Sequence, residues 1–223
     1  MSSIEKMLAY NRQWSEQIRQ ENPGYLETIA ADQQPEILWI GCSDSRVGPD
    51  QLIGLPMGSI FVHRNVANIF ATNDLNCLAV LEYAVDELKV PNIVVCGHYG
   101  CGGIKAALEH SGVQPVDLWL DQVRFVRNRY SAELDQLPIA ERANRLAERN
   151  VESQVYNICR NTIIREAWKR GQEVNVIGVI YDIHDGLLKQ LGLEFRSQQD
   201  WERHDRRTHP RPSHTTPHML RVE

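Results

Sequence analysis

Hydrophobic and polar positions along the 223-residue chain change period from one stretch to the next. Residues 3–20 carry Ile4, Met7, Leu8, Trp14 and Ile18 at helical spacing among polar neighbours, which predicts an amphipathic helix stopped at Asn22, Pro23 and Gly24. Short apolar runs over 37–41, 59–63, 92–96 and 174–181 predict strands. Between the second and third, a helix over 74–89 puts Leu78, Leu81, Val85 and Leu88 on one face, with Asn73 or Asp74 as cap and Pro91 beyond its end. Further helices are expected from Gly102 and Gly103, over 116–130, and over 139–170 with a break near Asn150 and a stop at Gly171. A turn at His184, Asp185 and Gly186 then leads to a short strand over 188–195. Strands alternating with helices of this length predict an α/β fold, with parallel pairing and helices on both faces, preceded by an N-terminal helical arm over 1–35. Residues 1–196 read as a single domain. After Ser197 apolar periodicity gives way to Pro, His, Arg and Thr, so 197–223 reads as a polar, disordered tail.

Composition narrows the class. With 42% hydrophobic and 24% charged residues the chain is ordinary for a globular protein. A net charge of −5 offers no field for nucleic acid or anionic lipid, so neither is an expected partner, although Arg206, Arg207 and Arg211 make the end locally basic. The N-terminus lacks a signal-peptide core and no window has the length and apolarity of a membrane span, which points to a cytoplasmic protein. Five cysteines, an odd number, fit reduced thiols better than a disulfide framework.

Two polar clusters follow directly on predicted strands: Cys42, Ser43, Asp44, Ser45, Arg46 after the first, and His98, Tyr99, Gly100, Cys101 after the third. Strand ends are where open α/β sheets build their sites. Two thiols, an imidazole and a carboxylate suit one zinc ion, because thiolate and neutral imidazole are its preferred donors and four ligands complete a tetrahedron. Cys42, Asp44, His98 and Cys101 are the candidate ligands, while Cys77, Cys96 and Cys159 sit in apolar contexts and read as core. Arg46 lies two residues from Asp44 and can hold its carboxylate bidentately. Asp44 on the metal caps the zinc, as in a purely structural site. Asp44 on Arg46 opens a position for water, whose pKa on zinc can fall near 7.

These motifs, with residues 62–68 (Val-His-Arg-Asn-Val-Ala-Asn), 82–84 (Glu-Tyr-Ala) and 96–103 (Cys-Gly-His-Tyr-Gly-Cys-Gly-Gly), stand in the order and spacing of the β-class carbonic anhydrases, which the chain resembles over roughly residues 1–195. The resemblance implies reversible hydration of carbon dioxide to bicarbonate and a proton, a mainly parallel central sheet flanked by helices, one Zn²⁺ per chain, and homodimers that pair into homotetramers. It implies Cys42, His98 and Cys101 as ligands, with Asp44 as fourth ligand in a closed state and Arg46 as its partner in an open one. Gln33 would donate to a substrate oxygen across the subunit boundary, Phe61, Val66 and Tyr83 would line an apolar pocket, and the Gly102 N–H would hold a bicarbonate oxygen. N-terminal helices of the family wrap the neighbouring subunit, which would occupy the stripe of Ile4, Leu8 and Trp14.

One subgroup is more similar still, the bicarbonate-regulated type II enzymes. In these a tryptophan, an arginine and a tyrosine bind bicarbonate away from the metal and favour the capped state; Trp39, Arg64 and Tyr181 stand at those positions. The resemblance names no proton carrier: Glu87 stands where some members carry a histidine, and His63, His110 and His184 have pKa values in range by type alone. Two other readings are a non-catalytic structural-zinc or bicarbonate-sensing protein, and a relative that applies the same chemistry to carbonyl sulfide or carbon disulfide.

Overall fold

In the computed structural model, which describes residues 2–109 and 112–208, five strands form one sheet: β1 (Ile37–Cys42), β2 (Ile60–Asn65), β3 (Asn92–His98), β4 (Asn175–Asp182) and β5 (Leu187–Phe195). Their order is β2-β1-β3-β4-β5, parallel from β2 to β4, with β5 antiparallel at the edge. The helices are α1 (Ser3–Glu21), α2 (Tyr25–Ala31), α3 (Pro49–Ile53), α4 (Leu75–Glu82), α5 (Gly102–Glu109), α6 (Pro115–Arg129), α7 (Ser131–Leu134), α8 (Ile139–Arg160), α9 (Thr162–Lys169) and α10 (Gln198–Thr208). Among the described residues no helix is long and apolar enough to cross a membrane.

The two-residue period of the strands splits the core into unequal layers. Leu38, Ile40, Ile93, Val95, Val176 and Ile180 face the larger layer, which is filled from α4 to α10 by residues such as Leu81, Ile104, Leu120, Leu146, Ile158 and Ile164. Trp39, Val94, Cys96, Val179 and Tyr181 face the smaller one, where Val47 and the Leu52 and Ile53 side chains of α3 join them. Helices therefore cover both faces, as predicted, but among the described residues the second is covered by one short helix. The chain leaves β1 for β2 on one side and returns past it to β3 on the other. The carboxyl ends of β1 and β3 thus flank the point where strand order reverses, the crevice where such sheets collect ligands.

Asp74 caps α4 through Oδ1, which accepts from the Asn76 N–H at 2.9 Å, as one of the two alternatives expected. The helix widens into a π turn over Tyr83–Glu87, with the Leu88 N–H on the Tyr83 carbonyl at 3.0 Å, and Lys89 ends it at φ 54°. In the arm, Ser2 and Glu5 form a reciprocal capping box on α1. None of the α1 residues is buried, and Ile4, Met7 and Leu8 lie exposed.

Two expectations are corrected. The helix over 139–170 does not break near Asn150: α8 runs through it for 22 residues and stops at Asn161, whose side chain caps α9 by accepting from the Ile163 N–H at 3.0 Å. Asn150 is tolerated inside the helix because both ends of its amide are bonded there. Nδ2 donates to the Ala67 carbonyl at 2.8 Å and Oδ1 accepts from Gln154 Nε2 at 2.8 Å. The tail expected to be disordered from residue 197 instead begins with α10. Its apolar content is low, yet Trp201, His204, Asp205 and Thr208 share one face. Trp201 is buried to 8% exposure, Asp205 takes Arg160 at 3.1 Å, and His204 stands edge-on to the Tyr156 and Phe195 rings. Residues 209–223 of that expected tail lie outside the described residues. We expect Trp201→Ala to lower unfolding free energy by about 3 kcal/mol, read from denaturant midpoints; a disordered segment would leave it within about 0.5 kcal/mol.

Candidate metal centre

β1 delivers Cys42 and β3 delivers His98 to the same edge of the sheet because the strands are neighbours in register, Gly41 beside Cys96. Cys101 follows after a turn in which Gly100 takes φ 68°, a backbone state that favours glycine, and α5 starts immediately beyond. All three side chains are buried. Their donor atoms lie within 4.8 Å of one another, with the two sulfurs 3.8 Å apart. Two sulfurs bound at about 2.3 Å to one tetrahedral zinc would stand about 3.8 Å apart. His98 Nδ1 faces the Tyr99 carbonyl at 3.1 Å, which leaves Nε2 as the metal-directed nitrogen. That buried atom has no hydrogen-bond partner among the described residues. Donor chemistry, spacing and an orphaned nitrogen together fit zinc.

The protein prepares this pocket for a cation. With the thiols alone, Cys42 is drawn well below the usual thiol range, first by the hydrogen bond from Cys101 and against the opposing effect of burial. Cys101 is pushed up by giving that bond and by burial. Backbone N–H groups of Asp44 and Ala67 face the Cys42 sulfur, and those of Gly103 and Ile104, at the start of α5, face Cys101. Two thiolates so close need a countercharge, which the ion supplies.

Asp44 is turned toward Arg46. Its Oδ1 accepts from the Arg46 N–H at 3.0 Å and Nε at 2.9 Å, and its Oδ2 from Nη2 at 2.7 Å. This fork holds the carboxyl well below the usual carboxylate range. Oδ2 nevertheless remains 3.8 Å from His98 Nε2. Arg64 ties the same loop to β2, donating through Nε to the Cys42 carbonyl at 2.8 Å and through Nη2 to the Asp44 carbonyl at 2.7 Å.

The other predicted site residues fall into three groups. Phe61 and Tyr83 pack with ring centroids 5.8 Å apart, and Val66 lies against Gly103, where a Cβ would stand 2.9 Å from Val66 Cγ1. Gly102 opens α5 beside Cys101. Tyr83 and Val66 keep 45% and 38% exposure. Trp39 and Tyr181 sit together in the smaller core layer, with Arg64 at the register position of Gly41. Trp39 Nε1 is buried without a hydrogen-bond partner among the described residues. Gln33 lies exposed after α2, its backbone N–H on Asp32 Oδ1 at 2.8 Å.

Sequence reasoning missed the groups that hold the site's loops. Ala67 and Asn68 adopt φ 66° and 46°, costly for residues with a Cβ. Asn150 holds the Ala67 carbonyl, while Gln154 Oε1 accepts from the Phe70 N–H at 3.0 Å. Two buried amides at i and i+4 in an otherwise apolar helical face were the available signal. Cys77, read as core, is buried as expected but also lies 3.3 Å from both His63 Nε2 and Asp74 Oδ2. Burial pushes its thiol up to about 12.

A profile of the carbonic anhydrase family matches residues 37–188. The chain is 40% identical over 192 residues to a carbonic anhydrase of Emericella nidulans, covering 86% of this chain and 84% of the relative. It is 40% identical over 197 residues to one from Candida albicans, covering 86% and 69%. Among solved structures, a tetrameric β-carbonic anhydrase of Sordaria macrospora superposes with TM-score 0.82 at 41% identity, over 86% of this chain and 98% of that one. The Coccomyxa β-carbonic anhydrase in complex with acetazolamide does so with TM-score 0.86 at 40% identity, over 90% and 91%.

Zinc content measured by plasma mass spectrometry should be one ion per chain, falling to near zero in His98→Ala and Cys101→Ser. Wild-type protein stripped with a chelator should gain two thiols reactive toward a chromogenic disulfide.

Proposed function

The chain belongs to the β-class carbonic anhydrases, and from that premise we propose that Asp44 and Arg46 gate a zinc-dependent, reversible hydration of carbon dioxide that bicarbonate inhibits from a second site. The observation that carries the gate is the Arg46 fork: it takes both Asp44 oxygens, yet Oδ2 stays 3.8 Å from the unpartnered His98 nitrogen. Cys42, His98 and Cys101 hold the zinc, which when bound acts as a Lewis acid that lets water give up a proton near neutral pH. Asp44, released from Arg46, is the anionic side chain within reach to cap the fourth position. Paired with Arg46 it stays ionised, and an ionised carboxylate only accepts hydrogen bonds. It therefore orients an O–H donor toward itself and turns that oxygen's remaining lone pair toward the substrate. This role argues against a purely structural zinc.

Carbon dioxide is apolar and its product is charged, so the pocket needs a dry slot and a few donors. Phe61, Val66 and Tyr83 supply the slot, and the Gly102 N–H and the Gln33 amide supply donors to bicarbonate. Gln33 and the Ile4, Met7 and Leu8 side chains of α1 are exposed in one chain, so we assign them to contacts with a second copy. A homodimer is the minimal active unit, and pairing into tetramers follows the Sordaria relative. Five free, buried cysteines suit a reducing compartment, and we assign the enzyme to the cytoplasm.

For regulation, the type II reading rests on Trp39, Arg64 and Tyr181. Trp39 offers a buried N–H that is unused among the described residues, and Gly41 leaves the indole its room, since a Cβ there would stand 2.4 Å from Nε1. Arg64 holds the Asp44 carbonyl. An anion that draws Arg64 toward Trp39 frees that carbonyl and loosens the Asp44 arm, so bicarbonate shifts the population if it binds the capped form more tightly.

Arg46→Ala and Asp44→Asn should each lower kcat/KM for hydration at least about 10-fold with zinc content unchanged; full turnover in either overturns the gate. Because the Asp44 carboxylate is stabilised in the folded state, its pairing persists at and above the usual carboxylate pKa and is lost only as pH falls well below it. An acid limb in the rate profile above the usual carboxylate range should therefore survive in Asp44→Asn. Wild-type rates should depend sigmoidally on bicarbonate and those of Trp39→Phe hyperbolically, as measured by stopped-flow; hyperbolic dependence in both counts against the second site.

A further inference from the structure

The chain between the ligands His98 and Cys101 is two residues long, and both are tied to one face of α8. Tyr99 Oη donates to Glu148 Oε1 at 2.5 Å, and the Gly100 N–H donates to Asn144 Oδ1 at 3.3 Å. Asn144 and Glu148 are four apart and so stand one above the other on the helix. Ala147 and Val151 continue that face onto Gly97, where a Cβ would stand 2.6 Å from Val151 Cγ2 and 3.6 Å from the Ala147 carbonyl. From the other side, β4 accepts the Tyr99 N–H on the Tyr181 carbonyl at 3.0 Å. Glu148 is itself fixed, since Oε2 accepts from Arg145 Nη1 at 2.6 Å.

These contacts bear on one peptide group. The Tyr99 carbonyl that faces His98 Nδ1 belongs to the same planar unit as the Gly100 N–H, and in a trans peptide the two point in opposite directions. Holding the N–H on Asn144 therefore aims the carbonyl at the imidazole. The left-handed φ of Gly100, 68°, makes this a place where a peptide could rotate at little steric cost. A rotated peptide would present its N–H to His98 Nδ1, and the ring would lose the acceptor that keeps the proton on Nδ1 and the lone pair on Nε2.

We propose that Asn144 and Glu148 are positioning residues of the metal centre, locking the Tyr99–Gly100 peptide so that His98 presents Nε2 to zinc. Asn144 fixes the orientation of the peptide plane and Glu148, through the Tyr99 hydroxyl, fixes its position. The proposal rests on the zinc reading of the site and adds to it two residues on an element that carries no ligand.

The test measures zinc affinity by competition with a chromophoric chelator and the visible spectrum of the cobalt-substituted protein. Variants are Asn144→Ala, Asn144→Asp, Tyr99→Phe, Glu148→Ala, the Tyr99→Phe/Glu148→Ala double variant, and Arg149→Gln as a control that disturbs α8 ion pairs without touching the loop. Asn144→Ala and Glu148→Ala should raise the zinc dissociation constant about 10- to 100-fold and shift the cobalt bands. Asn144→Asp, which keeps the acceptor, should restore both. The double variant should be no weaker than Glu148→Ala, because the two side chains act as one unit. Arg149→Gln should lower the metal-free Tm and leave zinc affinity unchanged. Zinc affinities within about threefold of wild type in both alanine variants overturn the proposal, as does an affinity loss that tracks metal-free Tm alike in all variants including Arg149→Gln. Wild-type protein that takes up no zinc overturns the metal reading itself, a result distinct from either.

Discussion

Adjacency of β1 and β3 is the constraint on which the rest of the molecule depends. Parallel pairing with Gly41 beside Cys96 brings both carboxyl ends to one edge, so a thiol from the first strand meets an imidazole and a thiol from the turn after the third. Any slip of one residue would move Cys42 to the opposite face of the sheet and send Trp39 into the helical layer. The register is defended by what it buries: Leu38 and Ile40 on one side and Trp39 on the other all lie within the core.

Bringing three donors into a dry pocket creates an electrostatic problem that the fold meets with backbone dipoles. Amide N–H groups from the loop after β1, from Ala67 and from the start of α5 converge on the sulfurs, where each stabilises a thiolate. Residues 67 and 68 take left-handed φ values, a strained state that persists where surrounding structure overrides it. Asn150 and Gln154 provide that override from α8. The residue that looks least suited to the middle of a helix thus serves the metal pocket at the far side of the core.

The legible features were those encoded locally. Four parallel strands, the Asp74 cap and both ligand clusters follow from short apolar runs, one capping side chain and polar motifs at strand ends. What escaped reading depends on residues far apart in the chain. Asn150 looks like a helix break until the Ala67 carbonyl supplies its partner, and the part played by Gln154 shows only when its amide meets Phe70. The stretch after Ser197 looks unstructured because its inner face is built from Trp201, His204, Asp205 and Thr208, with one apolar side chain among them. A polar stripe of that kind has no hydrophobic period; it is ordered by Arg160, Tyr156 and Phe195, which belong to other elements.

The unequal layers bear on which ligand can move. His98 and Cys101 flank a short loop that is bonded to both α8 and β4, next to Gly97, which has no space even for a Cβ against Val151. Displacing either ligand would disturb a dense core, and dense cores deform at high cost. Asp44 stands on the loop after β1. Its loop ends at Val47, in the small layer with Trp39 and Tyr181, and is retained by Arg64 and by an Arg46 side chain that remains 55% exposed. The Arg46 end of that pair reaches solvent, so water can take over its donors when the carboxylate leaves, whereas the buried ligand contacts have no such substitute. In the proposed gate the moving carboxylate thus hangs from the thinly covered half of the sheet, and the three fixed ligands are anchored to the parts of the fold that packing holds still.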